Sequence, residues 1–338
     1  MTHVITQRVP VVICVGQAVM DHRFSVAETP SRAQKYLASH YQALPGGMAT
    51  GAAITAARLG ARAYLVSRVG DDAAATSLLS ILEQEHIDTH FTERVSGCRT
   101  AVSAITIDPN GERQVVHATT DAFDRGRPIN TAELPVADAV LVDPRWPKAS
   151  LAALTWARQH GIPSVLDADI APPDVLRELL PHVDWAVFSS HGLSHLFPTA
   201  SQVQKLRQAT ALGPRVVAVT CGEDGVQWLT QDNRVEHLAA IDNPVTDTTG
   251  AGDVFHGALA FALATLQYAN RFAGTASSSA STTALRSTAN TKSLLAFANQ
   301  IAAYKVAAGN GILGAPRASD VTQALQNLRT ECALPTIS

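Results

Sequence analysis

Residues 247–260 of this 338-residue chain read DTTGAGDVFHGALA, placing Gly250, Ala251 and Gly252 in front of an acid, Asp253, before an apolar run. The strand-like VEHLAAI (235–241) precedes the stretch and the helical VFHGALAFALATL (254–266) follows it, so the small residues fall at a loop-to-helix junction. There the first turn's N–H groups have no partner inside the helix. Together with the positive end of the helix dipole they form an anion site that a phosphate can approach closely. An acid in a first turn ordinarily does no more than stabilise the helix. That explains Asp253 but not the glycines, which cost helix stability unless the backbone needs them. An Asp beside an anion pocket can take the proton of a hydroxyl as its oxygen attacks phosphorus, while the amides hold the charge of the migrating group. The chemistry implied is phosphoryl transfer to an alcohol.

Such a site needs a scaffold, and strand-like and helix-like segments alternate along the chain. Strands are expected over 11–16, 63–70 and near 139–143, 163–167, 184–188 and 215–220. Helices are expected over 48–60, closed by Gly60, and near 72–86, 149–160, 172–180 and 200–211. This rhythm predicts an α/β fold with a parallel sheet covered on both faces. Residues 33–44 and 99–118 read as strands without partner helices, the second folded over a DPNG turn. They predict a small separate sheet with one face toward water or ligand: a lid. Residues 274–291, rich in Ser, Thr and Ala, read as a flexible insert between two helices.

Composition narrows the function. With 46% hydrophobic and 16% charged residues the chain is globular, and a net charge of −3 offers no basic field for nucleic acid. No run of about 18 apolar residues suggests a membrane helix. The apolar run Val9 to Met20 is broken by Gly16 and Gln17 and ends at Asp21, as a buried first strand would and a signal peptide would not. Cys14, Cys98, Cys221 and Cys332 have neither zinc-site nor disulfide-framework spacing, so reduced thiols and a cytoplasmic location are expected. No Lys follows a Gly, which excludes a P-loop. GNGILG (309–314) follows a helical segment and precedes a Pro, so it lacks the strand-then-helix context of a dinucleotide site and reads as a flexible loop at a helix end near the nucleotide.

DTTGAGDVFHGAL resembles the C-terminal signature of the PfkB carbohydrate kinase family, and PGGMATGAAITAARLGARAYLVSRVGDD (45–72) is similar to its N-terminal signature. The likeness covers about residues 11 to 328. It implies a ribokinase-like fold: a three-layer α/β/α doubly wound sheet with a small β lid. A single domain over 1–338 would take its lid from about 20–45 and 98–120. It also implies ATP and Mg²⁺, with Asp253 as catalytic base and Gly250, Ala251 and Gly252 as anion hole. Asp21, in GQAVMD, matches the family acid that binds sugar hydroxyls, and Gly46 and Gly47 match glycines that pack against the sugar. VTCGEDG (219–225) resembles the T-x-G-x-x-G nucleotide segment, so Thr220, Gly222 and Gly225 would contact ATP; read by itself, it is equally a hairpin turn. One departure stands out. Where family members often carry N-x-x-E, tied to Mg²⁺ and phosphate, FSSHGLSHL offers Ser189 and Gly192, and the metal's protein ligands stay unassigned. Mg²⁺ is still expected, since it binds largely through phosphates and water.

The resemblance leaves the acceptor open. Lys35, on the first lid segment, and Arg145, after the strand AVLVDP, are candidates to read an anionic end, although each could also be a solvated surface charge. With RWP (145–147) they make the chain look most like the sulfofructose kinase branch, which handles an anionic ketohexose derivative. His117, on the lid hairpin, could line the same pocket or be a plain strand residue. Two further readings remain: a nucleoside kinase of the same superfamily, disfavoured by 5% aromatic residues and no aromatic cluster in the lid, and a catalytically silent sugar-binding regulator. By resemblance alone, a homodimer through the lid is expected.

Overall fold

The computed structural model describes residues 9–230, 232–272, 288–332 and 334. The chain runs β1 (Val11–Val15), β2 (Val19–Val26), β3 (Ala38–Gly46), α1 (Met48–Arg58), β4 (Arg62–Gly70), α2 (Ala73–Gln84), β5 (Thr92–Val95), β6 (Ala101–Ile107) and β7 (Arg113–Ala118). After the short α3 (Ala122–Arg125) come β8 (Ala139–Val142), α4 (Pro147–Gln159), β9 (Ser164–Ala168), α5 (Pro173–Leu179), β10 (Trp185–Ser189), α6 (Ser190–Leu196) and α7 (Gln202–Ala211). Then follow β11 (Val216–Thr220), β12 (Val226–Leu229), β13 (Val235–Leu238), α8 (Ala251–Phe272), α9 (Thr288–Ala308) and α10 (Thr322–Glu331).

Short apolar, β-branched runs make the centre. In β1, Val12 and Cys14 face a core shared with α1, α2, α8, α9 and α10, while Ile13 and Val15 face a second core built with α4 to α7. Burial on both faces is why these strands are continuously apolar. The main sheet has nine strands in the order β13-β12-β11-β10-β9-β8-β1-β4-β5, parallel from β11 to β5 and antiparallel at β12 and β13. From β1 the chain builds outward to β4 and β5 on one side, then returns to build β8 to β11 on the other. The order therefore reverses between β1 and β8, and a ligand crevice belongs at their carboxyl ends. Among the described residues no helix is long and apolar enough to cross a membrane.

The lid is a four-stranded sheet, β3-β2-β6-β7. The expected strand over 33–44 begins at Ala38, and its partner is β2, which starts in the last two residues of the apolar run Val9 to Met20 and continues beyond it to Val26. Pro45 is tolerated inside β3 because β3 lies at the sheet's edge. The expected strand over 99–118 divides into β6 and β7 at DPNG, where Asp108 Oδ1 accepts from the amides of Asn110 (2.9 Å) and Glu112 (3.0 Å). Contrary to expectation, the lid does hold an aromatic cluster: Tyr41 packs against Phe24 and His22, with ring centroids 5.1 and 6.0 Å apart. His22 and Phe24 alternate with Asp21 and Arg23, so the cluster lies on the face away from the acid.

Two loops also differ from expectation. Of the expected insert, 274–287 lie outside the described residues, and 288–291 begin α9. GNGILG is no loose loop: its 3₁₀ turn, Gly311–Gly314, is fixed by Arg58, whose Nη1 donates to the carbonyls of Leu313 (2.7 Å) and Ala315 (2.6 Å).

Candidate active site

The first turn of α8 carries the donors. Gly250 has φ +78°, a conformation that favours glycine. The Ala251 N–H donates to the Thr248 carbonyl (3.2 Å), and the Val254 N–H donates to the Gly250 carbonyl (2.9 Å). The N–H groups of Gly250, Gly252 and Asp253 have no acceptor among the described residues. The unengaged amides of this turn are thus those of Gly250, Gly252 and Asp253, with the Ala251 amide already bonded. A Cβ placed on Gly252 would meet no atom within 4 Å, whereas one on Gly250 would touch Ile312 at 3.5 Å.

Asp253 is held from behind by α1, whose Gly51 comes so near that an added Cβ would lie 2.6 Å from the Asp253 Cβ. Burial, helped by the charges of Asp167, Asp21 and Asp169 and opposed by His256, pushes its carboxyl up to about 8. Asp167, at the end of β9, is pushed well above the carboxylate range by burial and by Asp169 and Asp143. His256, one turn into α8, lies between them: Nδ1 is 3.2 Å from Asp167 Oδ2 and 2.7 Å from the Gly252 carbonyl, and Nε2 is 3.1 Å from the Val187 carbonyl.

Asp143, at the end of β8, ties the crevice together. Its carboxylate accepts from the amides of Gln17 (3.0 Å), Ala49 (3.2 Å) and Arg145 (2.8 Å), joining the ends of β1 and β8 to the start of α1. Burial pushes it up to about 6. Gly47, φ +95°, caps α1 with no room for a side chain against the Gln17 carbonyl, and Gly46 packs directly on the Asp21 carboxylate. Asp21, Ser103 and His117 share one register row across β2, β6 and β7, and the Ser103 Oγ is 3.2 Å from His117 Nδ1. Burial raises Asp21, against its bond to Ser103 and the nearby His117 and Arg23. Arg145 is exposed beside buried Trp146, which stacks on Phe123 (5.0 Å) and lies under Arg68 (4.4 Å). Burial and the Arg145 charge lower His117, and the same charge acts on Asp167, so Arg145 belongs to this cluster. Lys35 does not join it: it sits exposed in the irregular segment before β3, with no ion pair among the described residues.

Residues 219–225 form a hairpin between β11 and β12, closed by the Cys221 N–H donating to the Gly225 carbonyl (2.7 Å). Gly225 (φ +82°) is jammed against the backbone of 238–240, whereas Gly222 (φ +58°) faces open space. Thr220 is joined to α6 by Ser190, whose Oγ donates to the Thr220 carbonyl (2.9 Å). The structure also explains the departure at 189–192. A Cβ on Gly192 would lie 2.5 Å from the Ala168 carbonyl, so no acid fits there. Ser189 caps α6 and donates to Asp169 Oδ1 (2.6 Å), which brings an acid to the crevice from β9 instead.

Asp143, Asp167, Asp169 and His256 escaped the sequence reading. The signal for the three acids was position: Asp167 is the penultimate residue of β9, and Asp143 and Asp169 lie one residue beyond β8 and β9, at the carboxyl edge of a doubly wound sheet. Among the described residues no group of three or more His, Cys, Asp or Glu side chains has metal-site geometry.

The family model for pfkB family carbohydrate kinase matches residues 10–317. A ribokinase of Bacillus subtilis (strain 168) is 30% identical over 272 residues, covering 77% of this chain and 91% of the relative. A fructokinase of Vibrio alginolyticus is 29% identical over 242 residues, covering 64% and 75%. Among solved structures, a ribokinase-assigned protein from Agrobacterium tumefaciens superposes with TM-score 0.82 at 33% identity, covering 94% of this chain and 98% of that one. An Arabidopsis thaliana ribokinase solved with ribose and ATP gives TM-score 0.75 at 23% identity, covering 95% and 99%, a likeness of fold.

Proposed function

The chain belongs to the pfkB carbohydrate kinase family and is an ATP-dependent kinase, and on that premise we propose that it phosphorylates a hydroxyl of a sugar bearing an anionic end, such as sulfofructose. The observation that carries the transfer step is Asp253 beside the open amides of Gly250, Gly252 and Asp253 itself. ATP supplies the phosphoryl group when bound. Asp253 accepts the proton of the acceptor hydroxyl, and the amides hold the charge that migrates. Asp21, fixed by Ser103 and pressed by Gly46, orients sugar hydroxyls, with Gly47 closing the same wall. Thr220 and Gly222 line the nucleotide's side of the crevice, and Gly225 shapes its turn.

The crowding of Asp21, Asp167, Asp169 and Asp253, which raises Asp253, fits a divalent cation that would relieve it. Asp169, which lies at the crevice and is not assigned to proton transfer, would face Mg²⁺, which takes few protein carboxylates and otherwise phosphate and water. The anionic acceptor is supported by Arg145, which makes no ion pair among the described residues although it stands in an acidic site. The nucleoside reading gains nothing from Tyr41, Phe24 and His22, which lie on the lid's far face. That face also exposes Tyr41 (50%) and Val116 (72%), which supports pairing of two lids. A one-chain mass by sedimentation would remove the dimer. The free cysteines support a reducing, cytoplasmic location.

ATP consumption with neutral, phosphorylated, sulfonated and carboxylated sugars tests the whole. Turnover with an anionic sugar is expected; turnover with nucleosides alone, or with nothing, would reject the reading.

A further inference from the structure

Lysine ammonium groups are almost never fully buried unless paired. Lys305, in the last turn of α9, has no exposed surface, and its Nζ donates to the backbone carbonyl of Asp247 (2.6 Å) and lies 3.9 Å from Asp247 Oδ2. Nothing in the phosphoryl transfer described above uses it. The Asp247 carboxylate is already engaged: Arg23 Nη2 donates to it (2.9 Å), as do the amides of Thr249 (2.8 Å) and Gly311 (2.8 Å). The Val306 carbonyl accepts from the N–H groups of Thr246 (3.0 Å) and Asp247 (3.2 Å), so the segment leading to Gly250 hangs on the end of α9.

Charge makes the arrangement informative. Two cations, Arg23 and Lys305, share one carboxylate, while a third, Arg113 of β7, donates to the hydroxyls of Thr248 (3.3 Å) and Thr249 (3.5 Å). Three cations therefore converge on segment 247–249, directly before the free amides, where one carboxylate, Asp247, is shared by two of them. Burial lowers the lysine to about 8 against the pull of Asp247, which leaves it largely charged near neutrality.

We propose that Lys305 is a positioning residue for phosphoryl transfer: an internal cation that locks segment 246–250 onto α9 and lends positive charge to the amides receiving the migrating group. This rests on the function proposed above. It predicts more than stability, because a long apolar side chain would fill the same space without the charge.

The test is Lys305→Met, of similar length and uncharged, with Lys305→Gln carrying the comparison should the first not fold. In the folded variant the bonded amides within 246–252, those of Thr246, Asp247, Thr249 and Ala251, should exchange faster with deuterium. kcat should fall roughly 10–100-fold, the scale of a displaced reacting group, with KM for both substrates little changed. In Lys305→Ala, added methylammonium should restore part of kcat. Wild-type kcat in the folded variant, unchanged exchange at 246–252, or no rescue by methylammonium would each overturn the proposal. Failure of the functional reading looks different: the wild type would then phosphorylate no sugar, while the exchange difference at 246–252 would persist.

Discussion

The two walls of the crevice are made differently. The transfer wall, 246–253, is fixed from within the protein by Lys305, Arg23 and Gly311, and its Asp253 is backed by Gly51 so closely that a side chain there would collide. The acceptor wall is one face of a thin sheet, held by the register that aligns Asp21, Ser103 and His117, with β7 exposed along its whole length. The difference teaches where each property resides. The proposed donors and base would be in place before a substrate arrives, as electrostatic catalysis requires. On the function proposed above, acceptor choice would depend on a few lid side chains and Arg145, most of them outside the packed core.

The largest effect expected is at the transfer wall. Asp253→Asn should lower kcat about 10²–10⁴-fold, the range of a lost general base, with ATP affinity retained by calorimetry. The same variant should be more stable than the wild type above pH 4. The folded protein raises this carboxyl from 3.8 to about 8, so its favourable contribution is fully present below 3.8 and is lost as pH rises through 8. Asn carries no such loss, and the Tm difference should grow across that window. Gly252→Val comes next. No protein atom lies where its side chain would begin, so Tm should hold, while kcat should drop about 10²-fold or more through obstruction of the amides. The smallest effect belongs to the acceptor wall: Arg145→Ala should raise KM for anionic sugars roughly tenfold, about the 1.4 kcal/mol of one charged hydrogen bond, and leave neutral sugars unaffected. Equal losses for both sugar classes would show that the two walls are not separable.

Much of this division could be read before the fold was known. The Gly-Ala-Gly-Asp stretch was legible as a loop-to-helix junction because it is contiguous, and α1, β4 and the alternating strands followed from unbroken apolar periodicity. The parts that stayed hidden depend on distance in sequence. Asp143 binds partners at 17 and 49, Ser189 reaches Asp169, and Lys305 reaches Asp247, none of which a local pattern encodes. That the engaged amide is Ala251's also depends on a turn to Thr248 that small residues alone do not specify. The lid was legible only in outline, since β2 continues the apolar run of β1 with three residues between them. Lys35 and Arg145 were both candidates by charge, and only Arg145, expected from sequence at a strand's carboxyl end, sits beside the acids.

The most direct test of Asp253 as the base is the pH dependence of kcat/KM with both substrates subsaturating, where the free enzyme's ionisation is what titrates. The structure predicts a rise with unit slope through an apparent pKa near 8 to a plateau, because burial and neighbouring carboxylates hold the proton on until then. A profile flat from about pH 5 to 9 would contradict it.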